Sequence, residues 1–241
     1  MSESVAIIPT YNESGNINNI LENIQDLSIK FDVIVVDDNS PDGTGDIIKD
    51  LIVKKKFNIN ITLIERKVKD GLGSAYIEGF QKAISLNYKF IFQIDCDGSH
   101  NPKKLVEMKK TLVNDSDIVV GSRYIKGISV LHWPLPRLLL SIFANYYVKF
   151  ITGMKVNDST GGFNGYSRDA LESILKNKIT FQGYAFQIQM KFIGYKLGFK
   201  IKEIPIIFKD RIYGDSKMSG SIIFEAIFGL IKLKFLSFFK K

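Results

Sequence analysis

Short apolar runs that alternate with helical patterns dominate the first half of this chain. Residues 5–8 (Val5-Ala6-Ile7-Ile8) form one such run, and Ile17, Ile20, Leu21, Ile24 and Leu27 follow at helical spacing. Residues 32–36 form a second run, followed by Ile47, Ile48, Leu51 and Ile52. Residues 59–64, 89–94 and 117–120 form three more, with helical patterns opening at Gly71 and spanning residues 102–113. Continuous runs of this length suit strands buried on both faces. Strands that alternate with helices require right-handed crossovers, and so a mostly parallel sheet. The expected class is α/β, a Rossmann-like sheet flanked by helices.

The run at residues 89–94 ends abruptly in Asp95-Cys96-Asp97-Gly98. Residues two apart on a strand share a face, so these carboxylates would repel, and burying both unpartnered is costly. A divalent cation removes that penalty. Hard oxygen ligands favour Mg²⁺ or Mn²⁺, which usually share their shell with substrate phosphates. A turn that only reverses the chain at Asp97-Gly98 fits these residues equally well. Tyr11 and Glu13 follow the first run, and Asp38 follows the second. Open α/β sheets bind ligands beyond the carboxyl ends of their strands, so Tyr11, Glu13, Asp38, Asp95 and Asp97 are expected on one crevice. Gly71-Leu72-Gly73 is a candidate phosphate loop, although it lacks the Lys-Ser/Thr of a P-loop.

At 241 residues the chain can bury a substantial core. Its 33 basic and 25 acidic residues give a net charge of +8, which favours an anionic partner: nucleic acid, phosphorylated ligand or anionic membrane. Most lysines lie on helical patterns and read as solvated. Cys96 is the single cysteine, which rules out an intramolecular disulfide and fits a reducing compartment. No charged-then-apolar leader opens the sequence.

Four groups of residues carry a resemblance to a known family. They are Pro9-Thr10-Tyr11-Asn12-Glu13, Val36-Asp37-Asp38-Asn39-Ser40-Pro41-Asp42-Gly43-Thr44, Gly71-Leu72-Gly73-Ser74-Ala75 and Asp95-Cys96-Asp97-Gly98-Ser99-His100-Asn101-Pro102. The chain resembles family 2 glycosyltransferases, and among them the dolichol-phosphate mannose synthases. The similarity continues through Gly121-Ser122-Arg123-Tyr124, Asp158-Ser159-Thr160-Gly161-Gly162-Phe163, Gly183-Tyr184-Ala185-Phe186-Gln187 and Asp210-Arg211-Ile212-Tyr213-Gly214-Asp215-Ser216-Lys217. These motifs follow the family's order over nearly the whole chain.

The resemblance implies a GT-A domain over residues 1–219 and a Mg²⁺ or Mn²⁺ cofactor. It implies an inverting transfer of mannose from GDP-mannose to dolichyl phosphate or another polyprenyl phosphate. By position, Pro9, Tyr11, Glu13, Val36, Asp38 and Cys96 would line the donor. Asp95 and Asp97 would hold the metal and diphosphate, with Ser99 at the metal. Arg211 and Lys217 would meet the donor phosphates and act with the two carboxylates in catalysis. Arg123, Arg137 and Ser141 would bind the acceptor phosphate. The implied partners are donor, lipid phosphate, a membrane surface and small membrane-spanning subunits, with no nucleic acid. The implied location is peripheral on the cytosolic face of a membrane, the endoplasmic reticulum in a eukaryote. The chain departs from similar synthases at Gln189, often Glu, and at Ile142, where close relatives carry Arg.

Trp133-Pro134-Leu135-Pro136 breaks the chain before a helical pattern over residues 137–151. Arg137 and Ser141, four apart, share a helix face. The planar guanidinium suits phosphate because it offers two parallel charge-assisted bonds. A phosphate monoester has a second pKa near 6, so a lipid phosphate arrives as an anion and needs positioning rather than a base. His100 is expected to make a structural hydrogen bond. The segment 211–217 is cationic at both ends and turn-prone at its centre, and reads as a lid over the diphosphate. Residues 220–241 read as an amphipathic helix in the membrane interface, with a core-packed helix as the competing reading. Two other functions remain open on sequence: glucosyl transfer from UDP-glucose to a polyprenyl phosphate, and a catalytically silent nucleotide-sugar-binding subunit.

Overall fold

A computed structural model describes residues 2–209 and residue 234. The expected alternation is present: β1 (Ser4–Thr10), α1 (Ile17–Gln25), β2 (Asp32–Asp37), α2 (Thr44–Val53), β3 (Ile61–Glu65), α3 (Leu72–Ser85), β4 (Phe90–Gln93), α4 (Lys104–Asp115) and β5 (Ile118–Ser122). The second half adds β6 (Val130–Leu131), α5 (Leu135–Thr152), β7 (Asn164–Ser167), α6 (Arg168–Leu175), α7 (Gly183–Lys196), β8 (Ile201–Pro205) and β9 (Phe208–Lys209). Seven strands form one sheet in the order β3-β2-β1-β4-β7-β5-β8. Its pairs are parallel except where β7 runs against both β4 and β5.

Both faces of the sheet are covered, which is why its strands are apolar without alternation. On β1, Ala6 and Ile8 face the layer of α1, α2 and α4, where Ile17, Leu21, Ile48, Leu105 and Met108 are buried. Val5 and Ile7 face the opposite layer of α3, α6 and α7, where Tyr76, Phe80, Leu171, Phe186 and Met190 are buried. The sheet therefore holds the carboxyl ends of β1, β2 and β4 side by side, with the loop before β7 arriving at the same edge.

Two local expectations change. Residues 200–209, which read in sequence as one strand leading into the 211–217 segment, form two strands. β8 pairs with β5 and ends at Pro205, which has no N–H for the ladder; β9 pairs with β6 in a separate two-stranded sheet. Strand β4 stops at Gln93, so Asp95 and Asp97 lie in the following bend rather than on one strand face. Helix α5 sits apart from the main layers. Pro136 lies in its first turn, where a missing N–H costs nothing, and of its eighteen residues only Asn145 and Val148 are buried. The boundary expected at residue 219 and the helix expected over 220–241 lie outside the described residues, Lys234 excepted.

Candidate active site

The loop after β1 is stitched to the loop after β2. Backbone N–H groups of Asn12, Glu13 and Ser14 donate to Ser40 Oγ, Thr44 Oγ1 and Asp42 Oδ2, at 3.1, 3.0 and 2.9 Å. Thr10 Oγ1 donates to Asp37 Oδ1 at 2.7 Å. The Ser, Asp and Thr of the second motif thus serve as acceptors that fix Tyr11 and Glu13 in place. Beside them, Arg66 Nη1 donates to Asp38 Oδ1 at 2.6 Å and Arg66 Nη2 to Ser74 Oγ at 2.7 Å. Lys69 lies over the Tyr11 ring at 3.6 Å. Burial raises the pKa of the Asp38 carboxyl, and the Arg66 charge opposes that rise. Pro9 is half-buried at the end of β1. Val36 is wholly buried in the core layer against α3, so its side chain does not reach the rim.

The two carboxylates have unequal surroundings. Asp95 accepts a bond from Tyr76 OH at 3.1 Å, and its side chain keeps 28% exposure. Asp97 is buried, and its Oδ1 accepts the Ser99 N–H at 3.0 Å. His100 Nδ1 accepts the Asp95 N–H at 3.2 Å while its ring stacks on Phe163, so His100 has the structural role expected of it. Between the carboxylates, Cys96 points into the core. Burial pushes its thiol pKa well up, and the charges of Glu13, Asp97 and Asp95 add to the rise. Glu13 therefore stands near the carboxylate pair. The rim has two parts: Tyr11, Asp38, Arg66 and Lys69 on one side, and Asp95, Asp97 and Ser99 on the other, with Glu13 in the Tyr11 loop close to both.

These residues suit a hard cation. Ser99 Oγ is buried with no hydrogen-bond partner among the described residues, beside Asp97. An orphaned buried hydroxyl costs free energy unless something absent here engages it. Among the described residues there is no group of three or more His, Cys, Asp or Glu side chains that could hold a metal. A cation held by Asp95, Asp97 and Ser99 would thus complete its shell with phosphate oxygens or water, as Mg²⁺ commonly does.

Among the residues expected at the acceptor phosphate, Arg123 is buried rather than open. Its Nε and Nη2 donate to Asp158 at 2.7 and 2.6 Å, and Nη2 also reaches Thr160 Oγ1 at 2.8 Å. Trp133 lies between two guanidinium groups, 5.3 Å from Arg123 and 4.2 Å from Arg137. The Trp133 indole N–H is buried with no partner among the described residues. Ser141 Oγ accepts from Tyr124 OH at 2.7 Å. Arg137 and Ser141 share the α5 face that sequence spacing assigned to them. Arg123 lies over the rings of both Trp133 and Tyr124, which contact Arg137 and Ser141 in turn.

Several contributors were not singled out by sequence reading. Tyr76 holds Asp95 from within α3. Gln187 accepts from Asn164 Nδ2 at 3.0 Å, and a Cβ at Gly162 would lie 3.7 Å from Gln187 Nε2 and 3.8 Å from Asp95 Oδ2. Gly162 thus lies beside both that amide and that carboxylate. The candidate phosphate loop is already engaged: Gln182 Oε1 accepts the Ser74 N–H at 3.3 Å and would lie 2.9 and 2.8 Å from Cβ atoms placed on Gly71 and Gly73. Those glycines make room for Gln182. Gln189 is uncharged structural support: its Oε1 accepts the N–H groups of Thr180 and Phe181, and its Nε2 donates to Lys178 O. Arg211 and Lys217, expected at the donor phosphates, lie outside the described residues.

A mostly parallel α/β sheet whose carboxyl edge bears an acidic pair, with Tyr11, Asp38, Arg66 and Lys69 clustered on the same rim, is the architecture of a GT-A glycosyltransferase. Residues 5–175 match the family described as Glycosyl transferase family 2, and the chain belongs to that family. It is 38% identical over 225 residues to the polyprenol monophosphomannose synthase of Mycolicibacterium smegmatis, covering 93% of this chain and 84% of that one. It is likewise 38% identical over 223 residues to the undecaprenyl-phosphate mannosyltransferase of Micrococcus luteus, covering 92% and 90%. Among solved structures, the mannosyltransferase from Pyrobaculum calidifontis in complex with GDP-Man and Mn²⁺ superposes with a TM-score of 0.60 at 15% identity, covering 98% of this chain and 74% of that one. At that identity the likeness is one of fold.

Proposed function

We propose that this chain is an inverting mannosyltransferase that moves mannose from GDP-mannose to a polyprenyl phosphate such as dolichyl phosphate. The names of both 38%-identical relatives support a mannosyl transfer to a polyprenyl phosphate. The Pyrobaculum calidifontis mannosyltransferase, with GDP-Man and Mn²⁺ on the same fold, supports the donor and a divalent ion. The observation that carries the reading is the adjacency of two half-sites. Gly162 abuts the Asp95 carboxylate, and Ser159 in the same loop docks on Asn145 of α5, the helix that carries Arg137 and Ser141.

Asp95, Asp97 and Ser99 would hold Mg²⁺ or Mn²⁺, which when bound supplies positive charge against the leaving diphosphate. Tyr76 keeps Asp95 oriented. Tyr11, Glu13 and Asp38 face the nucleoside, with Arg66 fixing the Asp38 carboxylate. Arg137, supported on Trp133, and Ser141 orient the acceptor phosphate. One of its oxygens attacks the anomeric carbon, the bond from that carbon to the diphosphate breaks, and the diphosphate leaves with the electron pair. No proton moves, so no side chain need act as base, and a single displacement inverts the centre. Arg211 and Lys217 would add charge on the donor side.

The acceptor places the reaction at a membrane surface. α5 exposes Leu135, Leu139, Phe143, Tyr146 and Phe150, the last 84% exposed, on the side away from Asn145 and Val148. Such a stripe suits a helix lying against lipid. Among the described residues no helix is long and apolar enough to cross a membrane. The deciding experiment incubates the purified chain with vesicles containing polyprenyl phosphate, Mg²⁺ or Mn²⁺, and radiolabelled nucleotide sugars in turn. Labelled lipid is expected from GDP-mannose. Label from UDP-glucose alone would replace the donor, and donor binding without labelled lipid would point to a silent subunit.

A further inference from the structure

Lys191 lies on α7 with no exposed surface, an unusual place for an ammonium group. Its Nζ donates to Gly161 O at 2.8 Å and Ser159 O at 3.2 Å, so it grips the loop before β7 from beneath. Every other side of that loop is tied to a different part of the site. Ser159 N–H and Oγ both donate to Asn145 Oδ1 at 2.7 Å, which fixes the loop to α5. Asp158 holds Arg123, and its backbone N–H donates to Glu203 at 3.0 Å. Asn164 Nδ2 donates to Gly161 O at 3.1 Å and to Gln187, which lies beside Gly162 as Asp95 does.

We infer that Lys191 is a positioning residue that sets the distance between donor and acceptor, by fixing residues 158–162 between the carboxylate pair and α5. The inference rests on the transferase reading above. Inward carbonyls in a dry interior need donors; Lys191 serves both Ser159 O and Gly161 O, sharing the second with Asn164. An amine supplies two N–H groups whether or not it carries a third proton, so the grip does not depend on its charge. With the grip gone, Gly162 and α5 lose their common anchor. Each half-site can still bind its own ligand, but the attacking oxygen and the anomeric carbon no longer meet in register, and displacements of about 1 Å can cost about a hundredfold in rate.

The test compares wild type, Lys191→Met and Lys191→Arg in the vesicle assay, with GDP binding in Mn²⁺ measured by calorimetry. Lys191→Met keeps the stem and removes both donors. It is expected to lower the rate of lipid mannosylation about tenfold to a hundredfold, with GDP affinity within about twofold of wild type. Slow hydrolysis of GDP-mannose by water should persist, so the ratio of transfer to hydrolysis falls. Lys191→Arg, which restores donors, should recover part of the transfer. Should Lys191→Met not fold, Ser159→Ala removes the hydroxyl bond to Asn145 while leaving the Ser159 N–H bond to it, and is expected to raise the KM for lipid phosphate and not that for GDP-mannose, an unchanged lipid KM counting against the inference. Transfer at the wild-type rate in Lys191→Met, or equal loss of transfer and hydrolysis, overturns the inference. Absence of transfer in wild type instead overturns the proposed function.

Discussion

Arg123 and Asp158 form a closed, forked pair in the interior, with guanidinium bonds of 2.7 and 2.6 Å and a third, from the Arg123 backbone N–H, of 2.9 Å. Burial by itself would raise the Asp158 pKa; the charge and hydrogen bonds of Arg123 overcome it and hold the carboxyl below its usual value. A carboxylate with a depressed folded value stabilises the protein above its unfolded pKa, and that contribution is lost as pH falls through the folded value. Asp158→Asn leaves the Arg123 charge buried without its counter-ion. Such a change is expected to cost about 3–5 kcal/mol, measured by denaturant unfolding at neutral pH. The same variant should lose less stability than wild type on acidification.

Asp97→Ala removes the buried carboxylate next to the orphaned Ser99 hydroxyl. Mannosyl transfer should fall by about a hundredfold or more, the scale of losing one preorganised charge partner. Calorimetric titration of Mn²⁺ in the presence of GDP should show the corresponding loss of metal binding. Near-normal turnover in the presence of chelator would remove the metal from this site.

Arg137→Ala removes the guanidinium that Trp133 supports. The KM for lipid phosphate should rise about tenfold or more, with the KM for GDP-mannose little changed, because a charged hydrogen bond to phosphate is worth about 1.5–3 kcal/mol. Steady-state kinetics with each substrate varied in turn decide it, and a defect confined to the donor would move Arg137 to the other half-site.

Lys191 gives stability a pH dependence of the same sense as that of Asp158, but in a higher pH window. Burial lowers its pKa from 10.5 to about 7; Asp158 and Glu203 oppose this and Arg123 adds to it. Between these values the unfolded chain binds more protons than the folded one, so stability rises with pH across that window. The slope from this one group approaches about 1.4 kcal/mol per pH unit at most. Urea unfolding at pH 7, 8 and 9 should show a rise in wild type that is absent in Lys191→Met.

The alternation of apolar runs and helical spacing is enough to read β1 to β5 and α1 to α4, because the central strands are buried on both faces, the edge strand β3 is half-buried, and each helix presents one apolar stripe. The acidic pair was legible from its spacing after a strand. Its supports were not. Tyr76 reads as one more aromatic on α3, and only folding brings it to Asp95. Lys191 reads as a solvated lysine because α7 is packed on several sides and shows no clean apolar stripe. Arg123 looked like a free phosphate ligand, since its partner Asp158 is distant in sequence and is brought close by the ordering of β5 and β7. The break between β8 and β9 had a local signal in Pro205, which the surrounding apolar residues masked.

Strand β7 runs against its neighbours and stands between β4 and β5, which therefore do not pair with each other. During synthesis the sheet cannot close in the order in which it is made. β1 to β4 can assemble as soon as they leave the ribosome, but β5 has no place until β7 arrives from beyond α5. A nascent chain halted in between carries an apolar strand with two bare edges, the form most prone to pair with another chain.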